Sequence, residues 1–267
     1  MNLANHNDIK AAFFDFDGTI FNGPRQKIPS SCLYALQQLR ANGIKVCLAT
    51  GRHIVYLDNS MYKISNFDAI ITMNGQAILD NKRNVLYSKN LGDGDCLILK
   101  HLYETKKYPI FLDYADKTTS NFIDDTVRKA IGNIDINPPR HSDKVLDEPI
   151  LIGVIFCNKR EIEILKNVFE HYQVTQWNEF GYDLIDKHAG KESAIPPILN
   201  YWGLSPENAI AFGDSDNDLG MMKLCKYSVA MGNAIEECKK NATYTTTKID
   251  EDGIYNACLH FGLIKPK

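Results

Sequence analysis

What the sequence lacks narrows its possibilities first. Its seven cysteines, Cys32, Cys47, Cys96, Cys157, Cys225, Cys238 and Cys258, include no Cys-x-x-Cys pair and are scattered and odd in number. That argues against a zinc site and a disulfide framework alike, so reduced thiols are expected. No apolar run is long enough to cross a bilayer, and the polar stretch Met1 to Lys10 lacks the apolar centre of a secretory signal, so a cytoplasmic protein without a membrane partner is expected. Basic charge is not in surplus: 30 Lys and Arg stand against 33 Asp and Glu, for a net charge of −3. This argues against nucleic acid as the main partner. There is no internal repeat and no low-complexity tract. What is present is ordinary for a packed globular chain: 267 residues, 44% hydrophobic and 24% charged, enough for one large domain or a core with a smaller companion.

The most informative stretch is Phe13-Phe14-Asp15-Phe16-Asp17-Gly18-Thr19-Ile20. Ala11 to Phe14 reads as a strand buried on both faces. It ends in two carboxylates one residue apart, at the edge of an open α/β sheet where ligands bind. Two such carboxylates repel, and a hard divalent cation, Mg²⁺ above others, is the natural way to keep both ionised beside a carboxylate nucleophile. Taken alone, the stretch also reads as an Asp-Gly turn capped by Asp15.

Downstream, Pro29-Ser30 opens a helix with Leu33, Leu36 and Leu39 on one face and Asn42-Gly43 closing it. Ile44 to Ala49 is a second buried strand, completing a βαβ unit. It ends in Thr50-Gly51-Arg52, where a hydroxyl and an amide beside a missing side chain suit a phosphate oxygen, though they also suit a plain turn. Ala69 to Thr72 ends in Asn74-Gly75, and Gln76 to Leu79 with Val85 to Tyr87 reads as a hairpin. From residue 84 to 186 the pattern changes to helices at Cys96–Thr105 and Arg160–Tyr172 among short strands, with a proline-rich and charged loop at Asn133–Pro149. That predicts an inserted α+β domain within a Rossmann-like, doubly wound parallel sheet built from residues 1–83 and 187–267.

The sheet pattern then resumes. Lys191 starts a helix expected to break or bend at Pro196-Pro197. The strand Ala209 to Phe212 ends in Gly213-Asp214-Ser215-Asp216-Asn217-Asp218. By itself this loop reads equally as an Asx-rich helix cap; as the twin of Asp15 and Asp17 it reads as the other half of one site. Asp15 and Asp17, Thr50-Gly51, Lys191, and Asp214, Asn217 and Asp218 together supply what a phosphate monoester needs. A cation and an ammonium offset its charge, amides and hydroxyls orient its oxygens, one carboxylate attacks, and another handles the proton.

Those four segments, in this order, resemble the four motifs of the haloacid dehalogenase superfamily, and the insert after the second motif resembles the Cof-type phosphatases with a C2B α/β cap. The resemblance covers essentially the whole chain. It implies an Mg²⁺-dependent phosphatase acting on small phosphorylated metabolites, sugar phosphates among them, through an aspartyl-phosphate. It implies Asp15 as nucleophile, Asp17 as general acid/base, and Thr50, Gly51, Lys191 and Asn217 on the phosphoryl group. Asp15, Asp214 and the backbone carbonyl of Asp17 would ligate Mg²⁺, with Asp218 in support and residues 84–186 as the specificity cap. Glu192 departs from the pattern, which has glycine after the motif lysine; a carboxylate at a helix start explains it locally.

Other residues carry weaker expectations. Arg52 is expected to pair with a nearby acidic residue rather than with phosphate, His188 to be a surface residue, and Asp93-Gly94-Asp95 to cap a helix. Asp113, Tyr114, Tyr182 and Asp183, near strand ends of the insert, are candidate substrate contacts, with ordinary surface strands the stronger reading. A phosphomutase of similar fold and a non-catalytic binder of phosphorylated ligands are the alternatives, and a monomer or homodimer is expected.

Overall fold

The structure is a computed structural model and describes residues 8–25, 27–57, 67–132, 137–169 and 172–266. Its strands in chain order are β1 (Ala11–Asp15), β2 (Lys45–Ala49), β3 (Ala69–Thr72), β4 (Ala77–Asp80), β5 (Val85–Ser88), β6 (Ile110–Asp113), β7 (Thr118–Ser120), β8 (Arg140–His141), β9 (Ile152–Phe156), β10 (Tyr172–Gln176), β11 (Gly181–Asp186), β12 (Ala209–Gly213), β13 (Tyr227–Ala230) and β14 (Tyr244–Thr245). Among the described residues these form two sheets, ordered β14-β13-β12-β1-β2-β3-β4-β5 and β10-β11-β9-β6-β7-β8.

The chain divides into two compact units, the described parts of Met1–Arg52, Leu57–Tyr87 and Gly190–Lys267, and those of His53–Tyr56 and Ser88–Ala189. The sequence pattern placed the junctions after residues 83 and 186. They fall later because β5 hydrogen-bonds into the first sheet and the Asp186 turn stays with β11, where its carbonyl accepts from the Ala189 amide at 2.9 Å.

In the first unit β1 is central, paired in parallel with β12 on one side and β2 on the other, and β2 continues in parallel to β3. Every residue of β1 and β12 is buried, as strands covered on both faces require. Phe14 stacks on Phe212 with ring centroids 4.4 Å apart, filling the core beneath the strand ends. Because the strands run in parallel, the residues that leave them at Asp15, Thr50, Met73 and Asp214 all emerge at one edge of the sheet. The helix Ser30–Ala41 buries Cys32, Ala35, Leu36 and Leu39 and closes through Gly43 in the left-handed region (φ 79°), where the Ile44 amide reaches the Leu39 carbonyl at 3.0 Å. Of the break or bend expected at the paired prolines, the break does not occur: Lys191–Tyr201 is one helix with Pro196 and Pro197 inside it. Burial of Ala194, Ile195, Ile198 and Leu199 holds it together despite the lost amide donors.

In the second unit, β9 lies between β11 and β6, antiparallel to both. One face of this sheet, through Ile110, Leu112, Ile155, Tyr182 and Leu184, packs with Leu99, Leu102, Ile162 and Leu165 of the helices Asp93–Glu104 and Lys159–Lys166. The expectation of ordinary surface strands here is overturned: Asp113, Tyr114 and Tyr182 are buried. The two tyrosines belong to the hydrophobic core, and the Tyr114 hydroxyl accepts from the Leu146 amide at 3.2 Å. The helix expected to reach Tyr172 stops at Lys166, and Tyr172 begins β10; residues 170 and 171 lie outside the described set. Asp93 and Asp95 do not provide the N-cap, which is Gly92; they lie in the first turn, where their charge favours the helix dipole. Of the predicted loop at Asn133–Pro149, residues 133–136 lie outside the described set, and the short strand β8 interrupts the rest. All seven cysteines are free, and six are buried.

Candidate active site

Parallel register sets Asp15 level with Ala49 on one side and, one step beyond the Phe14–Phe212 pair, with Gly213 on the other. The side chains that follow those strands therefore meet. Asp15, 4% exposed, accepts a 2.5 Å hydrogen bond on Oδ1 from Lys191 Nζ, and the same ammonium donates to Asp218 Oδ1 at 2.7 Å. Lys191 is fully buried at the start of its helix. Asp218 is satisfied all round, since its Oδ2 accepts from the amides of Asp214 and Ser215 at 2.9 and 3.0 Å and thereby folds the loop. Thr19 donates to Asp214 Oδ1 at 2.9 Å.

Asp15, Asp214 and Asp218 each bring a carboxylate oxygen within 4.8 Å of the others. Three carboxylates around one ammonium leave a surplus of two negative charges when all are ionised. Burial is the largest influence on Asp15 and pushes its carboxyl above the ordinary range, Lys191 pulls it down, and Asp218 and Asp214 push it up again. Burial likewise raises Asp214. Asp15 Oδ2 is buried with no hydrogen-bond partner among the described residues. Buried carboxylate oxygens are normally paired, so the donor set fits a hard divalent cation of oxygen preference. Gly18 leaves room for this arrangement: it sits at φ 89°, and an added Cβ would overlap the Asp214 carboxylate.

The Asp17 carboxylate is not part of the acidic group. It is exposed and takes a bidentate pair from Arg52, Nε to Oδ2 at 2.8 Å and Nη2 to Oδ1 at 2.7 Å, with the guanidinium also 5.3 Å from the centre of the Phe16 ring. Arg52 thus pairs with an acidic neighbour, as its position suggested. Thr50 is buried and its Oγ1 accepts from the Arg52 amide at 3.1 Å, while Gly51 is exposed. Asn217 is exposed, with its Nδ2 donating to Asn74 Oδ1 at 3.1 Å. Glu192 folds over Gly190 and Gly220, occupying the space that side chains there would need. His188 is a surface residue.

The model of the haloacid dehalogenase-like hydrolases matches residues 12–258. The chain belongs to that family. It is an enzyme, and the relatives it resembles are phosphatases. It is 28% identical over 260 residues to the putative phosphatase YkrA of Bacillus subtilis (strain 168), covering 97% of this chain and all of that one. Among solved structures, a protein from Geobacillus kaustophilus HTA426 superposes with a TM-score of 0.87 at 25% identity, over 96% of this chain and all of that one. A sugar phosphatase of haloacid dehalogenase subclass IIB superposes with a TM-score of 0.76 at 29% identity, over 96% of this chain and all of that one. No helix among the described residues is long and apolar enough to cross a membrane.

Two residues at this dehalogenase-family site escape a reading by motif. Asn74 sits in the left-handed region (φ 50°, ψ 42°), its amide on the Thr50 carbonyl at 3.1 Å and its side chain on Asn217. Asn233 bridges the Gly18 carbonyl, by donating at 2.8 Å, and the Ile249 amide, by accepting at 3.0 Å. The Asn74-Gly75 pair after a buried strand was a usable signal, because asparagine tolerates positive φ where other residues do not. For Asn233 there was none, since its partners are 215 and 16 residues away in the chain.

Proposed function

We propose that this phosphatase is Mg²⁺-dependent and hydrolyses small phosphorylated metabolites, sugar phosphates as a class, through an aspartyl-phosphate on Asp15. The observation that carries the reading is Asp15 itself: one oxygen is fixed by Lys191, and the other is buried without a hydrogen-bond partner among the described residues. Asp15 attacks phosphorus while the bond to the leaving oxygen breaks. Asp17, once its carboxyl leaves Arg52, delivers the proton to that oxygen. It then takes a proton from the water that attacks the phosphoryl group, regenerating Asp15. The Arg52 pair is exposed and so cheap to break, on the order of 1 kcal/mol or less. Lys191, Thr50, the Gly51 amide and Asn217 hold the phosphoryl oxygens. Asp15, Asp214 and the Asp17 carbonyl hold Mg²⁺, which supplies charge neutralisation and a template for the phosphoryl oxygens. Asp218 keeps Lys191 and the loop in place. The unit inserted between β5 and the helix at Lys191 serves as the cap that chooses among substrates, a role that the subclass IIB sugar phosphatase supports by likeness.

Phosphate release from a panel of sugar phosphates, nucleotides and an aryl phosphate, with Mg²⁺ or with EDTA, tests this for the wild type beside Asp15→Asn. Mg²⁺-dependent turnover that disappears in the variant is the expected result. Turnover that persists in EDTA or in the variant overturns it, and phosphate moved within one sugar without release would mark a mutase.

A further inference from the structure

The inserted unit holds a second set of carboxylates that the proposed chemistry does not use, Asp113 buried and Asp183 half-buried. Register places Asp113 opposite Ile152 and Asp183 opposite Val154, both on β9 two residues apart. Strand side chains alternate, so Asp113 and Asp183 share one face of the sheet, opposite the face that carries Leu112, Ile155 and Leu184 against the helices. Asp113 is 6% exposed, and its Oδ1 has no hydrogen-bond partner among the described residues. The Trp177 side chain lies beside Asp183 and favours its ionised form against the effect of burial. Tyr56, influenced by both carboxylates, bonds the Thr118 side chain, which lies opposite Asp113 on β7.

Among the described residues, countercharge is what this face lacks. The influences on Asp113 are burial and Asp183, and those on Asp183 are burial and Trp177, with no lysine or arginine among them. Nearby cations in the chain are engaged elsewhere: Lys117 with Asp116 and Glu148, and Lys89 with Asp186. His53 does not serve, because its Nδ1 accepts from the Val55 amide at 3.1 Å and its Nε2 meets the Tyr114 carbonyl at 2.6 Å, the pattern of a neutral ring. A buried carboxylate beside a second carboxylate, without a cation, is costly to ionise, and such an arrangement is normally completed by a partner of opposite charge.

We infer that this face of the inserted unit binds a protonated primary amine on the substrate's non-phosphate part, with Asp113 and Asp183 as its acceptors and the hydroxyls of Tyr56 and Thr118 beside them. The inference rests on the reading of the inserted unit as the selector of substrate, and it narrows the class to phosphomonoesters of amino sugars or amino alcohols. A neutral polyol could donate to the same oxygens but would not supply the missing charge.

Binding measured by calorimetry on the Asp15→Asn protein, which is not expected to consume the ligand, tests this with two matched pairs. They are glucosamine 6-phosphate against glucose 6-phosphate, and phosphoethanolamine against ethylene glycol phosphate. At least one amine should bind about tenfold or more tightly than its hydroxyl counterpart, the scale of one charged hydrogen bond. That ratio should fall toward one when Asp113→Asn or Asp183→Asn is added. The ratio is taken within each protein, so uniform weakening does not imitate the effect, and the second substitution serves if the first does not fold. Equal binding within both pairs, or an amine preference that survives both substitutions, overturns the inference. Aryl phosphate turnover by the wild type, run in parallel, reports separately on the phosphatase chemistry, and its failure would leave the binding ratios readable.

Discussion

The two units handle buried carboxylates in opposite ways. In the first, Asp15 and Asp218 share a buried ammonium, and Asp218 takes two backbone amides as well. In the second, Asp113 has an oxygen with no partner among the described residues, and the groups around it bring no cation. The first arrangement is a negative site held together by one built-in positive charge, although burial and the neighbouring Asp218 and Asp214 still push Asp15 above the ordinary carboxylate range. In the second, burial pushes Asp113 up to about 8 and Asp183 up to about 7, with no ammonium beside them among the described residues. Desolvation thus raises both sets, and what distinguishes the first is Lys191, which fixes Asp15 by a hydrogen bond and offsets part of the charge around it.

The sharpest break of that contrast is Asp15→Asn, which should lower kcat for any turned-over phosphomonoester by at least about a thousandfold while the protein stays folded, as steady-state rates and circular dichroism would show. Lys191→Met comes next, because it removes the shared ammonium and strands two buried carboxylates. Chemical denaturation should show a loss of about 3–5 kcal/mol, and kcat should fall by about a hundredfold or more.

The second unit responds to pH instead of to a lost partner. Between about pH 4, the ordinary carboxylate range, and the values near 8 and 7 for Asp113 and Asp183, the folded chain keeps protons that the unfolded chain has released. Stability contributed by these groups is therefore full at low pH, falls as pH rises through that window, and levels off above about 8. Asp113→Asn should flatten this fall and raise stability at pH 8 by on the order of 1–3 kcal/mol, measured as melting curves across pH. A variant no more stable at pH 8 than the wild type would show that Asp113 is already compensated. The smallest effect is expected from Arg52→Met, which frees Asp17. Stability should move by less than about 1 kcal/mol, and a larger loss in denaturation would mean that the pair is structural.

Much of the first unit was legible because its signals are local. An apolar run ending in a carboxylate, a hydroxyl or a glycine marks the carboxyl edge of a parallel strand, and parallel pairing then brings the ends together without further instruction. Asp15, Thr50 and Asp214 were readable for that reason, and Lys191 as a cation at a helix start. Arg52 was readable as a cation beside an acidic loop. The second unit was less so. Asp113 and Tyr182 are polar residues in short strands, and whether such a strand is covered on one face or two depends on elements far away in sequence. Tyr182 proved to face the helices and Asp183 the opposite side, a distinction that rests on β9 pairing between β6 and β11. The prolines of the helix at Lys191 misled for a related reason: local propensity predicts a break, and packing overrides it.

Glu192 carries one more consequence. Its side chain fills the space that Gly190 and Gly220 leave open, so these three positions form a mutually permissive set. A methyl group at either glycine would meet only the far end of the Glu192 side chain, a flexible neighbour that can swing aside, so such a substitution requires Glu192 to move and not to be lost. Shortening Glu192 removes even that requirement. One carboxylate thus couples the tolerance of the helix start at Gly190 to that of Gly220, thirty positions further along the chain.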